Sequence, residues 1–141
     1  MQLLENFKNI TITNLPQLAE NIIQLFDKRN IICLQGEIGA GKTTLTKQIV
    51  KKIIGNDKAI SPTFSILNIY TNGKESIYHL DLYRLNDKKE FFDLGLYEYL
   101  ADNKILIEWP ELILDYLENY DFYLVKFSII SETQRNIEIW G

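Results

Sequence analysis

The stretch Gly36-Glu37-Ile38-Gly39-Ala40-Gly41-Lys42-Thr43 satisfies G-x-x-x-x-G-K-[ST] without a mismatch. No other feature limits the fold so sharply, because this loop works only between a buried strand and a following helix. Both flanks are present. Ile31-Ile32-Cys33-Leu34 is a short continuous apolar run, the pattern of a strand buried on both faces. From Thr43 to Ile54, Leu45, Ile49, Val50 and Ile53 recur at helical spacing before Gly55. Glycines let backbone N–H groups close around phosphates, and the helix N-terminus adds its positive dipole. Lys42 is then placed to bridge the outer phosphates and the Thr43 hydroxyl to ligate Mg²⁺. These residues predict a nucleotide site. GTPases of this class usually carry Asn-Lys-x-Asp for the base, and that tetrapeptide does not occur; Asn86-Asp87-Lys88-Lys89 has similar residues in the wrong order. ATP is therefore the expected nucleotide.

The remainder of the chain reads as one domain, residues 1–141. Hydrophobic residues make up 46% and charged residues 24%, with only 7 Gly and 3 Pro, so collagen-like repeats and disordered linkers are excluded. The lone Cys33 forms no internal disulfide and no cysteine-based metal site, which suits a reducing compartment. No basic segment precedes an apolar one at the start, and no apolar run approaches a membrane span. The expectation is a cytoplasmic protein without membrane contact.

Phe7 to Ile12 alternates weakly, as an edge strand does. Asn14, with Pro16 and Gln17 behind it, marks a helix start, and Leu18, Ile22, Leu25 and Phe26 line one face to about Lys28. Asn72-Gly73 between the β-rich runs Phe64–Thr71 and Glu75–Leu82 signals a hairpin. Residues 87–101 predict one or two short helices broken at Gly95. Lys104 to Glu108 is another buried strand, Glu111 to Glu118 a helix opened by Pro110, and Tyr123–Ile130 with Arg135–Trp140 a terminal antiparallel pair. The fold class is α/β, a P-loop NTPase-like three-layer domain whose central mixed sheet has a parallel core and antiparallel margins.

Hydrolysis on such a loop calls for a carboxylate at the end of a neighbouring buried strand, to serve Mg²⁺ or the attacking water. Two qualify. Glu108 ends the run Ile105-Leu106-Ile107. Asp81 lies in Tyr78-His79-Leu80-Asp81-Leu82-Tyr83-Arg84, where strand alternation sends His79, Asp81 and Tyr83 the same way. His79 reads equally well as a structural imidazole. Trp109, next to Glu108, reads as core. Ser61-Pro62-Thr63-Phe64, between the loop's helix and the hairpin, occupies the place of a switch that touches the γ-phosphate or its metal.

Taken together, the Gly36–Thr44 loop, Ser61-Pro62-Thr63-Phe64, Tyr78-His79-Leu80-Asp81-Leu82-Tyr83-Arg84-Leu85 and Ile107-Glu108-Trp109-Pro110 resemble the bacterial TsaE (YjeE) family, in matching order and spacing over nearly the whole chain. The H-x-D-x-Y-R and E-W elements are far more specific than the glycine-rich loop. Asp93-Leu94-Gly95-Leu96 and Arg135-Asn136-Ile137-Glu138 are also similar. The resemblance implies an ATPase required, with TsaB and TsaD, for threonylcarbamoyladenosine formation beside the anticodon of tRNAs that read codons starting with A. It implies ATP binding by Glu37, Ile38, Gly39, Ala40, Gly41, Lys42, Thr43, Thr44, Asp81, Trp109 and Arg135. It also implies Mg²⁺ at Thr43 and Glu108, catalytic roles for Asp81 and Glu108, and a switch at Ser61, Pro62 and Thr63.

Two other readings compete. A small metabolite kinase needs an arginine-bearing lid, and the chain has only three Arg and no segment to spare for one. A non-catalytic nucleotide sensor would not need Asp81 and Glu108. With a net charge of −4 and no basic stripe, the chain is expected to meet tRNA through its partner complex rather than alone.

Overall fold

Among the described residues, runs of alternating and continuous apolar residues build seven strands and four helices. The computed structural model describes residues 1–55 and 66–141. In chain order the strands are β1 (Leu3–Ile10), β2 (Ile31–Gln35), β3 (Leu67–Thr71), β4 (Ser76–Asp81), β5 (Ile105–Glu108), β6 (Phe122–Ile129) and β7 (Arg135–Trp140). The helices are α1 (Leu15–Leu25), α2 (Lys42–Ile54), α3 (Lys88–Asp93) and α4 (Leu114–Leu117), with 3₁₀ turns at Ile12–Asn14, Leu96–Leu100 and Pro110–Ile113.

The strands form one sheet in the order β1-β7-β6-β2-β5-β4-β3. β6, β2, β5 and β4 run parallel, while β1, β7 and β3 pair antiparallel at the two margins. The apolar runs are continuous in β2 and β5 because helices cover both faces there. Ile32 and Leu34 pack with Leu18 and Ile22 of α1 and Leu45 and Ile49 of α2. Ile31 and Cys33 face the other way, onto Phe91, Leu100, Ile113 and Leu117. The expected three-layer sheet with antiparallel margins is what forms.

Several local readings shift, and the helix expected over Glu111–Glu118 forms as the 3₁₀ turn Pro110–Ile113 followed by α4. β1 begins at Leu3 and ends at Ile10, where the chain turns into the 3₁₀ segment before α1. α1 closes at Leu25, its carbonyls capped by the tight turn Phe26–Arg29. The hairpin forms as expected, but Thr71 pairs with Ser76, so four residues make the connection rather than the Asn-Gly pair alone. Asn72 Oδ1 accepts from the N–H groups of Lys74 and Glu75, so the side chain organises the turn.

The parallel strands place their carboxyl ends together. Gln35, Asp81 and Glu108 end β2, β4 and β5, and Asp81 lies opposite Glu108 in the register. In sheets of this kind ligands bind outside the strand ends.

Candidate functional site

The loop between β2 and α2 turns on Gly39 and Gly41, whose φ values of 79° and 104° suit glycine. Ala40 N–H donates to the Glu37 carbonyl at 3.1 Å, closing the turn, and Gly41 caps α2. Lys42 therefore starts the helix, and its side chain folds back beneath the loop. Nζ donates to the carbonyls of Gly36 and Glu37, the latter at 3.1 Å. Only 5% of Lys42 is exposed. Burial lowers its pKa from the ordinary lysine value, opposed by the charges of Glu108, Glu111 and Asp81. A desolvated cation held by carbonyl dipoles is a receptor for an anion.

Trp109 forms the roof over that cation. Its backbone lies in the left-handed region at φ 58°, ψ 56°, a conformation that costs a bulky residue about 1–2 kcal/mol. The turn lays the indole on Lys42, with Nζ 3.8 Å from the ring centroid. Tyr83 then packs on Trp109 with the rings tilted by 43° and their centroids 4.9 Å apart. Trp109 is thus half-buried, packed against the core on one side and facing the site on the other.

Glu108 is 1% exposed at the end of β5. Its Oε1 accepts from Thr43 Oγ1 at 3.0 Å, and its Oε2 lies 2.5 Å from His79 Nε2. Asp81 is half-buried and accepts from the Tyr83 N–H at 3.1 Å. These groups and the loop enclose a cavity of about 310 Å³, lined among others by Lys42, Thr43, Asp81, Tyr83, Glu108 and Trp109.

Arg135 approaches the same loop from behind. Nε and Nη2 donate to the carbonyls of Ala40 and Gly39 at 3.1 and 3.0 Å, while Nη1 takes those of Ser131 and Gln134 at 2.7 and 2.9 Å. Beyond it a second cavity of about 470 Å³ opens, walled by Ile10, Ile12, Leu15, Phe127 and Ile137. Gly39, Ala40, Gly41 and Thr44 border both cavities, so the loop is their common wall.

The fold gathers Glu37–Thr44, Asp81, Glu108 and Trp109 around one cavity and sets Arg135 behind the loop. Ile38 projects into solvent, 68% exposed, so the loop at that point offers its backbone. Ser61, Pro62, Thr63 and Phe64, and with them the expected start of the first hairpin strand, lie outside the described residues. Tyr83 belongs to the H-x-D-x-Y-R motif but was given no role in the site, although it shares a strand face with Asp81; the Ile10–Leu15 wall was not singled out at all. For the wall, nothing local pointed there, because it reaches the loop through long-range packing of β1 on β7 and of α1 on α2.

The donor set fits Mg²⁺. Among the described residues no three His, Cys, Asp or Glu side chains gather into a metal site of their own. Mg²⁺ is commonly held by one or two protein oxygens plus substrate phosphates, and Thr43 and Glu108 supply two hard oxygens beside the phosphate loop. Among the described residues no helix is long and apolar enough to cross a membrane.

The family model described as threonylcarbamoyl adenosine biosynthesis protein TsaE matches residues 11–137. The tRNA threonylcarbamoyladenosine biosynthesis protein TsaE of Rickettsia felis is 39% identical over 120 residues, covering 84% of this chain and 70% of that protein. The protein of the same name from Aquifex aeolicus is 34% identical over 126 residues, 88% and 86% of the two chains. Among solved structures, Bacillus subtilis YdiB superposes with a TM-score of 0.66 at 25% identity, over 99% of this chain and 86% of that one.

Proposed function

The chain belongs to the TsaE family of threonylcarbamoyl adenosine biosynthesis proteins, and from that premise we propose that it serves tRNA threonylcarbamoyladenosine formation as a Mg²⁺-dependent ATPase. TsaB and TsaD are its partners in this reading, and tRNA is met through their complex. The observation that carries the ATPase assignment is the contact between Thr43 and Glu108, which puts a hydroxyl and a buried carboxylate side by side at the mouth of a phosphate loop.

Lys42 and the loop backbone receive the β- and γ-phosphates. Thr43 and Glu108 are the residues that would hold Mg²⁺ brought in with the nucleotide, and the ion would supply positive charge against the negative charge that develops on hydrolysis. Asp81, across the cavity from the loop, accepts a hydrogen bond from the attacking water and aligns it. The mostly apolar cavity behind the loop receives the nucleoside, since the shared loop wall lets one molecule span both spaces. Trp109 and Tyr83 shield the phosphate end from solvent, which strengthens each charged contact there.

Calorimetric titration with ATP and GTP, in Mg²⁺ and in EDTA, tests the reading together with phosphate release. ATP binding that requires Lys42 and strengthens with Mg²⁺ is expected. K42A removes a charge-assisted contact of about 1.5–3 kcal/mol, so ATP affinity should fall at least tenfold. GTP bound as tightly as ATP refutes the choice of base, and a K42A chain of parental affinity refutes the site.

A further inference from the structure

His79 belongs to the most distinctive motif of the chain, yet the reading above gives it no task. It is 7% exposed in the middle of β4. In the parallel register of β4 and β5, His79 lies opposite Leu106 and Asp81 opposite Glu108. The imidazole therefore reaches diagonally across the strand pair to bring Nε2 2.5 Å from Glu108 Oε2. Glu108 Oε1 meanwhile accepts from Thr43. Both oxygens of a carboxylate that is 1% exposed are thereby held, one from β4 and one from α2.

We propose that His79 is a positioning residue: it anchors Glu108 by Oε2, so that Oε1 stays turned toward Thr43 and the phosphate loop. The proposal rests on the reading of Thr43 and Glu108 as the Mg²⁺ residues. A carboxylate that serves a cation through one oxygen needs its plane fixed, since rotation about the last side-chain bond swings that oxygen off its aim, and a partner on the other oxygen stops the swing. Water does this at exposed sites, but Glu108 is buried and the work falls to a protein donor. Asp81 across the register makes the need sharper, because its like charge repels Glu108 and favours turning the carboxylate away. An Nε2–H donor on Oε2 opposes that rotation. Partners of this kind set the aim of a ligand without touching the metal, and their loss costs metal affinity rather than fold.

The test compares three substitutions in the full chain. H79Q sets an amide nitrogen near the place of Nε2, H79N sets one near the place of Nδ1 and short of Glu108, and H79L carries no donor. A non-hydrolysable ATP analogue is titrated across a Mg²⁺ series and in EDTA, with melting temperatures alongside. H79N and H79L should raise the Mg²⁺ concentration for half-maximal affinity roughly tenfold or more. H79Q should restore most of the loss, and affinity in EDTA should stay within about twofold throughout, since second-sphere groups act through the metal. H79N equal to H79Q overturns the proposal, as does an affinity in EDTA that falls as far as the affinity in Mg²⁺. Should H79L not fold, the Gln and Asn pair decides alone. A parental chain indifferent to Mg²⁺ overturns the reading of Thr43 and Glu108, and His79's role with it. A Mg²⁺-dependent parent whose H79N keeps the parental half-saturation overturns the role of His79 alone.

Discussion

Thr43 Oγ1 donates to Glu108 Oε1 at 3.0 Å, tying the first turn of α2 to the end of β5. The bond joins the two halves of the site, since one residue comes with the phosphate loop and the other with the neighbouring parallel strand. E108Q keeps an oxygen that can accept from Thr43 and turns its NH₂ to His79, whose Nε2 can accept in the other neutral tautomer, so the fold should stand. The charge is what disappears. Turnover should fall roughly 10–100-fold, the range seen when a metal's surroundings are altered, while ATP affinity changes less. Steady-state hydrolysis measured beside calorimetric affinity checks this, and a parental rate in E108Q removes Glu108 from the mechanism.

Arg135 gives a second expectation. Its guanidinium spends Nε and Nη2 on the carbonyls of Ala40 and Gly39. With those carbonyls drawn backward, the loop is held in the shape that faces the phosphates. R135A should weaken ATP about tenfold, corresponding to about 1.4 kcal/mol, near the lower end expected for charged hydrogen bonds. R135K should not restore it, because a point charge cannot serve the two carbonyls with a planar fork. Titration of both variants decides the matter; full affinity in R135K means that charge alone suffices.

The parallel core and phosphate loop were legible because their signals are local. Ile31–Leu34 and Ile105–Glu108 are apolar without interruption, and the glycine spacing before Lys42 has one established structural use. Glu108 was legible as an acid ending such a run. What the sequence could not supply was long-range pairing. Trp109 read as core from its residue type, with a nucleotide role implied only by the resemblance; the left-handed turn at φ 58° is what brings the ring over Lys42. His79 read equally as structural or functional, and its contact with Glu108 depends on β4 lying beside β5 in a particular register. Likewise, the Ile10–Leu15 wall meets the loop through β1 pairing with β7 at the far end of the chain and α1 packing on α2.

Gly36 should tolerate no side chain. A Cβ there would stand 2.9 Å from Phe127 Cβ, 3.1 Å from the Phe127 carbonyl oxygen and 3.2 Å from Ala40 Cβ. Backbone on β6 cannot step aside without disturbing the β2–β6 ladder. G36A should cost about 1–3 kcal/mol, the usual range for forced overpacking, and lower the melting temperature. Thermal unfolding by circular dichroism tests it, with the unchanged melting temperature of the parent as the contrary result.

Cys33 should resist thiol reagents in the native chain. It is fully buried in β2, and burial, with a smaller contribution from Glu111, raises its thiol pKa far above the ordinary value. The thiolate is the reactive form, so both access and chemistry oppose modification. If global opening alone exposes it, labelling should be slower than in urea by roughly 1,000-fold or more, given typical stabilities of about 5–15 kcal/mol. Maleimide labelling followed by mass measurement reads this out directly. Rapid labelling without denaturant means that β2 opens locally.

The last expectation concerns turnover by the chain alone, which should be slow and should rise when TsaB and TsaD are present. Phosphoryl transfer is accelerated by an arginine that meets the charge spreading over the γ-phosphate, worth about 10³–10⁵-fold where it is supplied in trans. The chain has three arginines. Arg29 donates to the Phe122 carbonyl at 2.8 Å and lies 4.5 Å from the Tyr123 ring centroid, at the opposite ends of the parallel strands from the loop. Arg135 is committed to loop carbonyls behind the phosphates. Arg84 follows Tyr83 at the rim of the site and already has an interaction of its own. A protein packing over the loop could supply the missing charge and, by covering Tyr83 and the exposed Ile38, exclude water from the phosphates. Phosphate release measured for the chain alone, then with the TsaB–TsaD pair, then with tRNA added, should rise at the second step. Equal turnover per site in all three conditions makes the chain a self-sufficient ATPase and removes the need for any contribution in trans.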